Sequence, residues 1–158
     1  LIRPATESDR SAIWSILEPV FREGETYAID RDISRSDALT YWMDGHHCFV
    51  IEAGGVVQGT YYLKANHAGG GRHVCNCGYM VAAAGRGQGL ARQMCEHSLT
   101  EAKRLGFQAM QFNFVVSTNT GAVHLWESLG FAVVGRLPEV FESPSQGNVD
   151  ALVMFRKL

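Results

Sequence analysis

The chain has 158 residues, 46% of them apolar and 19% charged, a make-up that fits one globular domain and excludes a disordered chain. Its formal net charge of −2 and the lack of any basic run of five or more residues speak against nucleic acid as a partner, which calls for a basic face. No apolar run approaches the roughly 18 residues that cross a bilayer and no basic segment leads into an apolar one, so neither membrane nor export is expected and the cytoplasm is the default.

Residues 1–4 predict a short strand closed by Pro4. Thr6, with Asp9 three residues on, resembles a helix N-terminus, and Ile13, Ile16, Leu17 and Val20 follow at helical spacing, predicting a helix that ends near Phe21. Residues 22–32 are polar and broken by Gly24, as in a loop, and 36–43 predict a short helix. The period then changes. Residues 48–51 are strand-like, Gly54-Gly55 marks a hairpin, and 56–64 carry β-branched and aromatic side chains. Residues 68–71 make a flexible tip and 73–81 a further strand, followed by a Gly-rich loop and a helix over about 89–105 that Gly106 stops. A strand at 109–116 and a helix at 120–129, stopped by Gly130, come next. Residues 132–135 begin another strand and 149–156 form the last, with a long connection between them that holds Glu139, Phe141 and Glu142. There is no repeat, low-complexity tract or linker, so residues 1–158 predict a single α/β domain around a central sheet.

Cysteines stand at 48, 75, 77 and 95. Cys75 and Cys77 share one face of a strand, but no second Cys/His pair lies at finger or ribbon spacing, so no metal site is expected and the thiols read as reduced and structural.

The informative segment follows the strand at 73–81. In Arg86-Gly87-Gln88-Gly89-Leu90-Ala91 the two glycines lack a Cβ, so backbone N–H groups can turn toward an anion. The helix starting there adds unpaired donors and the positive end of its dipole. Together they make a pyrophosphate site; a plain strand-to-helix turn is the alternative. A P-loop is excluded by the missing Lys-Ser/Thr, and a dinucleotide fingerprint by the glycine spacing.

Arg86, Gly89 and Ala91 in the order Arg-x-x-Gly-x-Ala, after a strand ending at Val81, resemble the acetyl-CoA motif of the GCN5-related N-acetyltransferases. Asn119, Ala122, Leu125 and Gly130-Phe131 resemble a second element of that family, Asn-x-x-Ala-x-x-Leu-Tyr-x-x-x-Gly-Phe. The resemblance implies a mixed, mostly antiparallel central sheet, flanked by helices and splayed between the strands at 73–81 and 109–116. It implies acetyl-CoA as co-substrate, its pantetheine arm paired like an added strand with backbone at Met80, Val81 and Ala82, and its pyrophosphate on Arg86 to Ala91. Asn119 would hydrogen-bond the cofactor, or merely cap the helix. A homodimer is implied by the resemblance alone.

One departure matters. Trp126 stands where the family often has a tyrosine that protonates the leaving thiolate, and an indole N–H donates a hydrogen bond without serving as an acid near neutral pH. Trp126 then either lines the cofactor's arm or belongs to the core. Asn76 and Asn113 stand out because asparagine is depleted in strands, yet each sits inside an apolar one. Both amides would face the cleft, or else bridge a gap between strands. With Asn119, Trp126, Gly130-Phe131 and Val149-Asp150-Ala151 they are similar to the fungal proline-analogue (azetidine-2-carboxylate) acetyltransferases. That likeness implies that Asn76 assists catalysis, that Asn113 anchors a carboxylate, and that the acceptor is a small amine, amino acid or imino acid. Glu23, Glu25 and Tyr27 lie in the loop where the family presents acceptor-binding residues, though a solvated loop carboxylate is the plainer reading. With no Cys/His/acid constellation, direct attack in a ternary complex is expected. A peptide N-terminal acetyltransferase and a non-catalytic acyl-CoA sensor are the rival readings.

Overall fold

Strands whose neighbouring side chains are buried on both faces need cover on both, and here two separate cores provide it. The computed structural model describes residues 1–158. Seven strands, β1 (Ile2–Pro4), β2 (His47–Ala53), β3 (Val56–Ala65), β4 (Val74–Val81), β5 (Ala109–Val116), β6 (Ala132–Ser143) and β7 (Gly147–Lys157), form one sheet in the order β1-β2-β3-β4-β5-β7-β6. The helices are α1 (Arg10–Glu23), α2 (Arg35–Met43), α3 (Leu90–Arg104) and α4 (Thr120–Ser128). Phe49, Ile51, Tyr61 and Leu63 pack with Met94, Cys95 and Trp126 from α3 and α4. The alternate residues Cys48, Val50 and Tyr62 pack with Ile13, Leu17 and Phe21 of α1 and Trp42 of α2. No helix is long and apolar enough to cross a membrane.

Every adjacent pair of strands is antiparallel except β4 and β5, which gives the expected mixed, splayed sheet. Those two pair in parallel only at Val74–Ala109 and Cys75–Met110, then diverge. Within β3–β4, Tyr62 lies opposite Gly78. A Cβ on Gly78 would sit 2.4 Å from Cε2 of the Tyr62 ring, so glycine there lets the ring lie flat across β4.

Two expectations need correction. α1 continues to Glu23, past Phe21, despite Pro19 in its last turns; the chain leaves it at Gly24 with φ 70°. The long connection expected between residues 135 and 149 is instead strand: β6 runs to Ser143 and turns straight into β7. A bulge between Leu137 and Phe141 hides its alternation. Asp150 holds the bulge by accepting from the Glu139 N–H at 2.9 Å and from Arg136 Nη1 at 2.7 Å, which leaves Glu139 at φ 49°.

The start of the chain is fastened by charge. The buried Asp9 carboxylate takes both Arg3 Nη groups at 2.8 and 2.9 Å and the Thr6 N–H at 2.7 Å. Arg3 also reaches Glu52 Oε1 at 2.6 Å, tying β1 to β2. The guanidinium holds the Asp9 carboxyl well below the usual carboxylate range. A depressed carboxyl contributes stability above its unfolded pKa of about 4 and loses it as the pH falls toward its folded value. Stability should therefore decline as pH drops below about 4, and Asp9→Asn should lower the neutral-pH unfolding midpoint while flattening that decline. Denaturant melts across pH check this; an acid profile that the substitution leaves unchanged counts against it.

Candidate active site

The site begins where β4 and β5 part. On β4 the backbone of even-numbered residues faces β3, as the bonds Asn66 N–H to Val74 O (2.8 Å) and Ala82 N–H to Gln58 O (2.7 Å) show. Odd-numbered residues must then face the gap. Met80 and Ala82, two of the three residues expected to pair with a pantetheine arm, are thus spent on β3. Val81 faces the opening, and so does Tyr79, which the motif did not mark; its carbonyl accepts the Tyr27 hydroxyl at 2.9 Å.

Asn76 closes the base of the gap. Its Nδ2 donates to Gln111 O on β5 at 2.9 Å, and its Oδ1 accepts from the Tyr62 hydroxyl at 3.2 Å. The residue is 7% exposed, so the amide replaces a ladder bond that the departing strands no longer make. Asn76 therefore does bridge the strands, and it also lines the cavity that opens above them.

That cavity, of about 730 Å³, brings Asn76 and Asn113 together with Tyr27, Val81, Arg86, Gly87, Ala91, Asn119 and Trp126. Residues 26–29 of the loop after α1 also line it. Arg86 is its sole charged side chain; no Asp, Glu, His or Lys lines it. At one end Gly87 and Gly89 adopt φ of 76° and 74°, a left-handed backbone open to glycine without strain. The six backbone N–H groups of residues 87–92 have no acceptor within the protein. A loop and helix N-terminus that present six free donors suit a pyrophosphate. Gln88 turns its amide back onto Ala84 O at 3.1 Å, and Leu90 buries its side chain in the core, so these two offer backbone only.

Asn119 occupies the N-cap of α4, but its side chain makes no capping bond, which leaves the amide uncommitted beside the cavity. Trp126 is 9% exposed and packs at 5.1 Å against both Tyr79 and Phe112, so it is at once core and wall. Asn113 lies at a bulge in β5 and is engaged by two amides that the sequence did not mark, Asn66 and Gln111.

The loop carboxylates are elsewhere. Glu25 accepts from Ser143 Oγ at 2.9 Å, Ser145 N–H at 3.1 Å and Ser145 Oγ at 3.0 Å, clasping the β6–β7 turn. Glu23 ends α1 and, like Glu25, is absent from the cavity wall. Phe141 and Glu142 line a smaller neighbouring cavity of about 400 Å³ with residues 27–31, whereas Glu139 lines neither.

Three phenols at the wall are already committed: Tyr27 to Tyr79 O, Tyr62 to Asn76, and Tyr79 to Ser98 Oγ at 2.7 Å. Burial pushes all three phenols up, so each is protonated at neutral pH. All four cysteines are free and buried. Burial also raises the Cys77 thiol, which borders the cavity, so it is a poor nucleophile. The arrangement binds and orients; it carries no evident base or covalent nucleophile.

Comparison with known proteins gives the same answer. Residues 11–131 match the model of the Acetyltransferase (GNAT) family. A GCN5-related N-acetyltransferase from Kribbella flavida superposes with a TM-score of 0.96 at 41% identity, covering 100% of this chain and 97% of that one. The structure of yncA from Salmonella typhimurium, solved with its cofactor acetyl-CoA, gives a TM-score of 0.88 at 26% identity over 100% of this chain and 93% of its own. The L-amino acid N-acyltransferase MnaT of Escherichia coli is 29% identical over 131 residues, 82% of this chain and 70% of that protein. With a loop of free donors at one end of a cleft between parting parallel strands, this chain belongs to the GNAT family as an acetyl-CoA-dependent N-acetyltransferase.

Proposed function

We propose that the chain acetylates the nitrogen of a small amine, amino acid or imino acid by direct attack on acetyl-CoA, within one ternary complex in the cytoplasm. The observation that carries this reading is the cavity above Asn76, where residues 26–29 of the loop after α1 join Tyr41, Tyr62 and Phe114 around a space suited to a small acceptor. A relative named for L-amino acids supports the acceptor class. The unpaired cysteines support a reducing compartment.

The acceptor's nitrogen lone pair attacks the thioester carbonyl, the new C–N bond forms, and the tetrahedral intermediate collapses by breaking C–S. The nitrogen's proton leaves to water and the thiolate is protonated from solvent. Val81 and Tyr79 backbone, the donors of residues 87–92, Arg86 and Asn119 hold the cofactor. Asn76 assists catalysis: its Oδ1 keeps a lone pair after the Tyr62 bond and can orient an amine N–H. Trp126 shapes the wall and supplies no proton.

An edge strand also bears on assembly. Val133, Val134, Leu137 and Val140 of β6 are 44%, 60%, 37% and 47% exposed, which supports a homodimer across that edge. Sedimentation should find twice the 17.4 kDa chain mass, and a monomer at micromolar protein sinks the proposal.

With no side-chain base in the cavity, the amine must arrive neutral, and its own pKa sets the acid limb of the rate profile. Thiol release from acetyl-CoA, measured over a panel of amines and amino acids, should show kcat/KM rising about tenfold per pH unit below each acceptor's pKa, with a break that moves from acceptor to acceptor. A break at one fixed pH for all acceptors would reveal an enzymic base and overturn the mechanism.

A further inference from the structure

Asn113 is held, and the way it is held decides what it can bind. Asn66, the residue after β3, is pinned by its backbone N–H to Val74 O at 2.8 Å. Its side chain forms a reciprocal amide pair with Asn113: Asn66 Nδ2 donates to Asn113 Oδ1 at 3.1 Å, and Asn113 Nδ2 donates to Asn66 Oδ1 at 2.6 Å. Gln111 Nε2 donates to the same Asn113 Oδ1 at 2.9 Å. An amide oxygen has two lone pairs and an amide nitrogen two hydrogens. Both lone pairs of Asn113 are therefore occupied, and one hydrogen. A single N–H remains for the cavity that Asn113 lines.

We infer that Asn66 is a positioning residue: together with Gln111 it fixes Asn113 as a pure hydrogen-bond donor, so the site favours an acceptor that carries a carboxylate or carbonyl oxygen beside its nitrogen. This rests on the acetyl transfer to a small acceptor proposed above. An amine N–H finds no acceptor atom on Asn113 and is left to Asn76 Oδ1. Because the three amides are uncharged and at most half-buried, the cluster contributes direction more than strength. A site built around such a donor discriminates against an analogue that lacks the oxygen.

The test compares an α-amino acid with the amine obtained by removing its carboxylate, both assayed by thiol release from acetyl-CoA. Asn66→Ala should raise the amino acid's KM about five- to tenfold, the worth of one misdirected hydrogen bond, while kcat, the KM of acetyl-CoA and the KM of the decarboxylated amine hold. Adding Asn66→Ala to Asn113→Ala should change nothing more, because Asn66 acts through Asn113. An unchanged melting point shows that the variant is folded. Equal rises for both acceptors, or losses that add in the double variant, overturn the inference. If the unaltered protein binds acetyl-CoA but releases thiol with no acceptor, the acetyl-transfer reading itself fails.

Discussion

β4 and β5 run parallel, share pairings at only two positions, and then separate. Separation leaves backbone donors and acceptors of both strands without their ladder, a cost that a buried sheet cannot ignore. The protein resolves it in two ways. At the fork, Asn76 replaces the missing rung with a side-chain amide bonded to Gln111 O. Beyond the fork, the edge of β4 stays open as the wall of a cavity, and Tyr27 caps the Tyr79 carbonyl. An extended pantetheine arm is the kind of chain that can take up such an edge. The glycine loop then lies where the cofactor's phosphates would follow, with its donors free.

The chemistry follows from what the wall contains. The phenols of Tyr27, Tyr62 and Tyr79 are committed and kept protonated by burial, its bordering thiol is raised, and its one charge is Arg86 at the cofactor end. Under the proposed mechanism, catalysis in such a site comes from holding a neutral nitrogen against a thioester. The absence of the family's usual tyrosine is consistent with this. Trp126 cannot give a proton, but wedged between Tyr79 and Phe112 it keeps the cleft's floor rigid.

Much of the fold was legible in the sequence because it lies in local periodicity. Ile13, Ile16 and Leu17 marked α1, and the glycines at 87 and 89 marked the loop, since their roles depend only on near neighbours. What could not be read depends on register and distance. Which parity of β4 faces the gap is set by its pairing with β3, so Met80 and Ala82 were indistinguishable from Tyr79 and Val81. Asn66 meets Asn113 across 47 residues of chain, with no motif to announce it. Glu25 looked like an acceptor ligand because its partners, Ser143 and Ser145, lie more than a hundred residues away. The β6 bulge disguised a strand because its stabilising group, Asp150, belongs to β7.

We propose that acetyl-CoA completes the open edge of β4 and the donor loop behind it. Amide hydrogen exchange with and without acetyl-CoA tests this most directly. Marked slowing is expected at the Val81 N–H and across residues 87–92, with little change at Met80 and Ala82, whose backbone β3 already occupies. Saturating acetyl-CoA that leaves Val81 and the loop amides exchanging as before would contradict it.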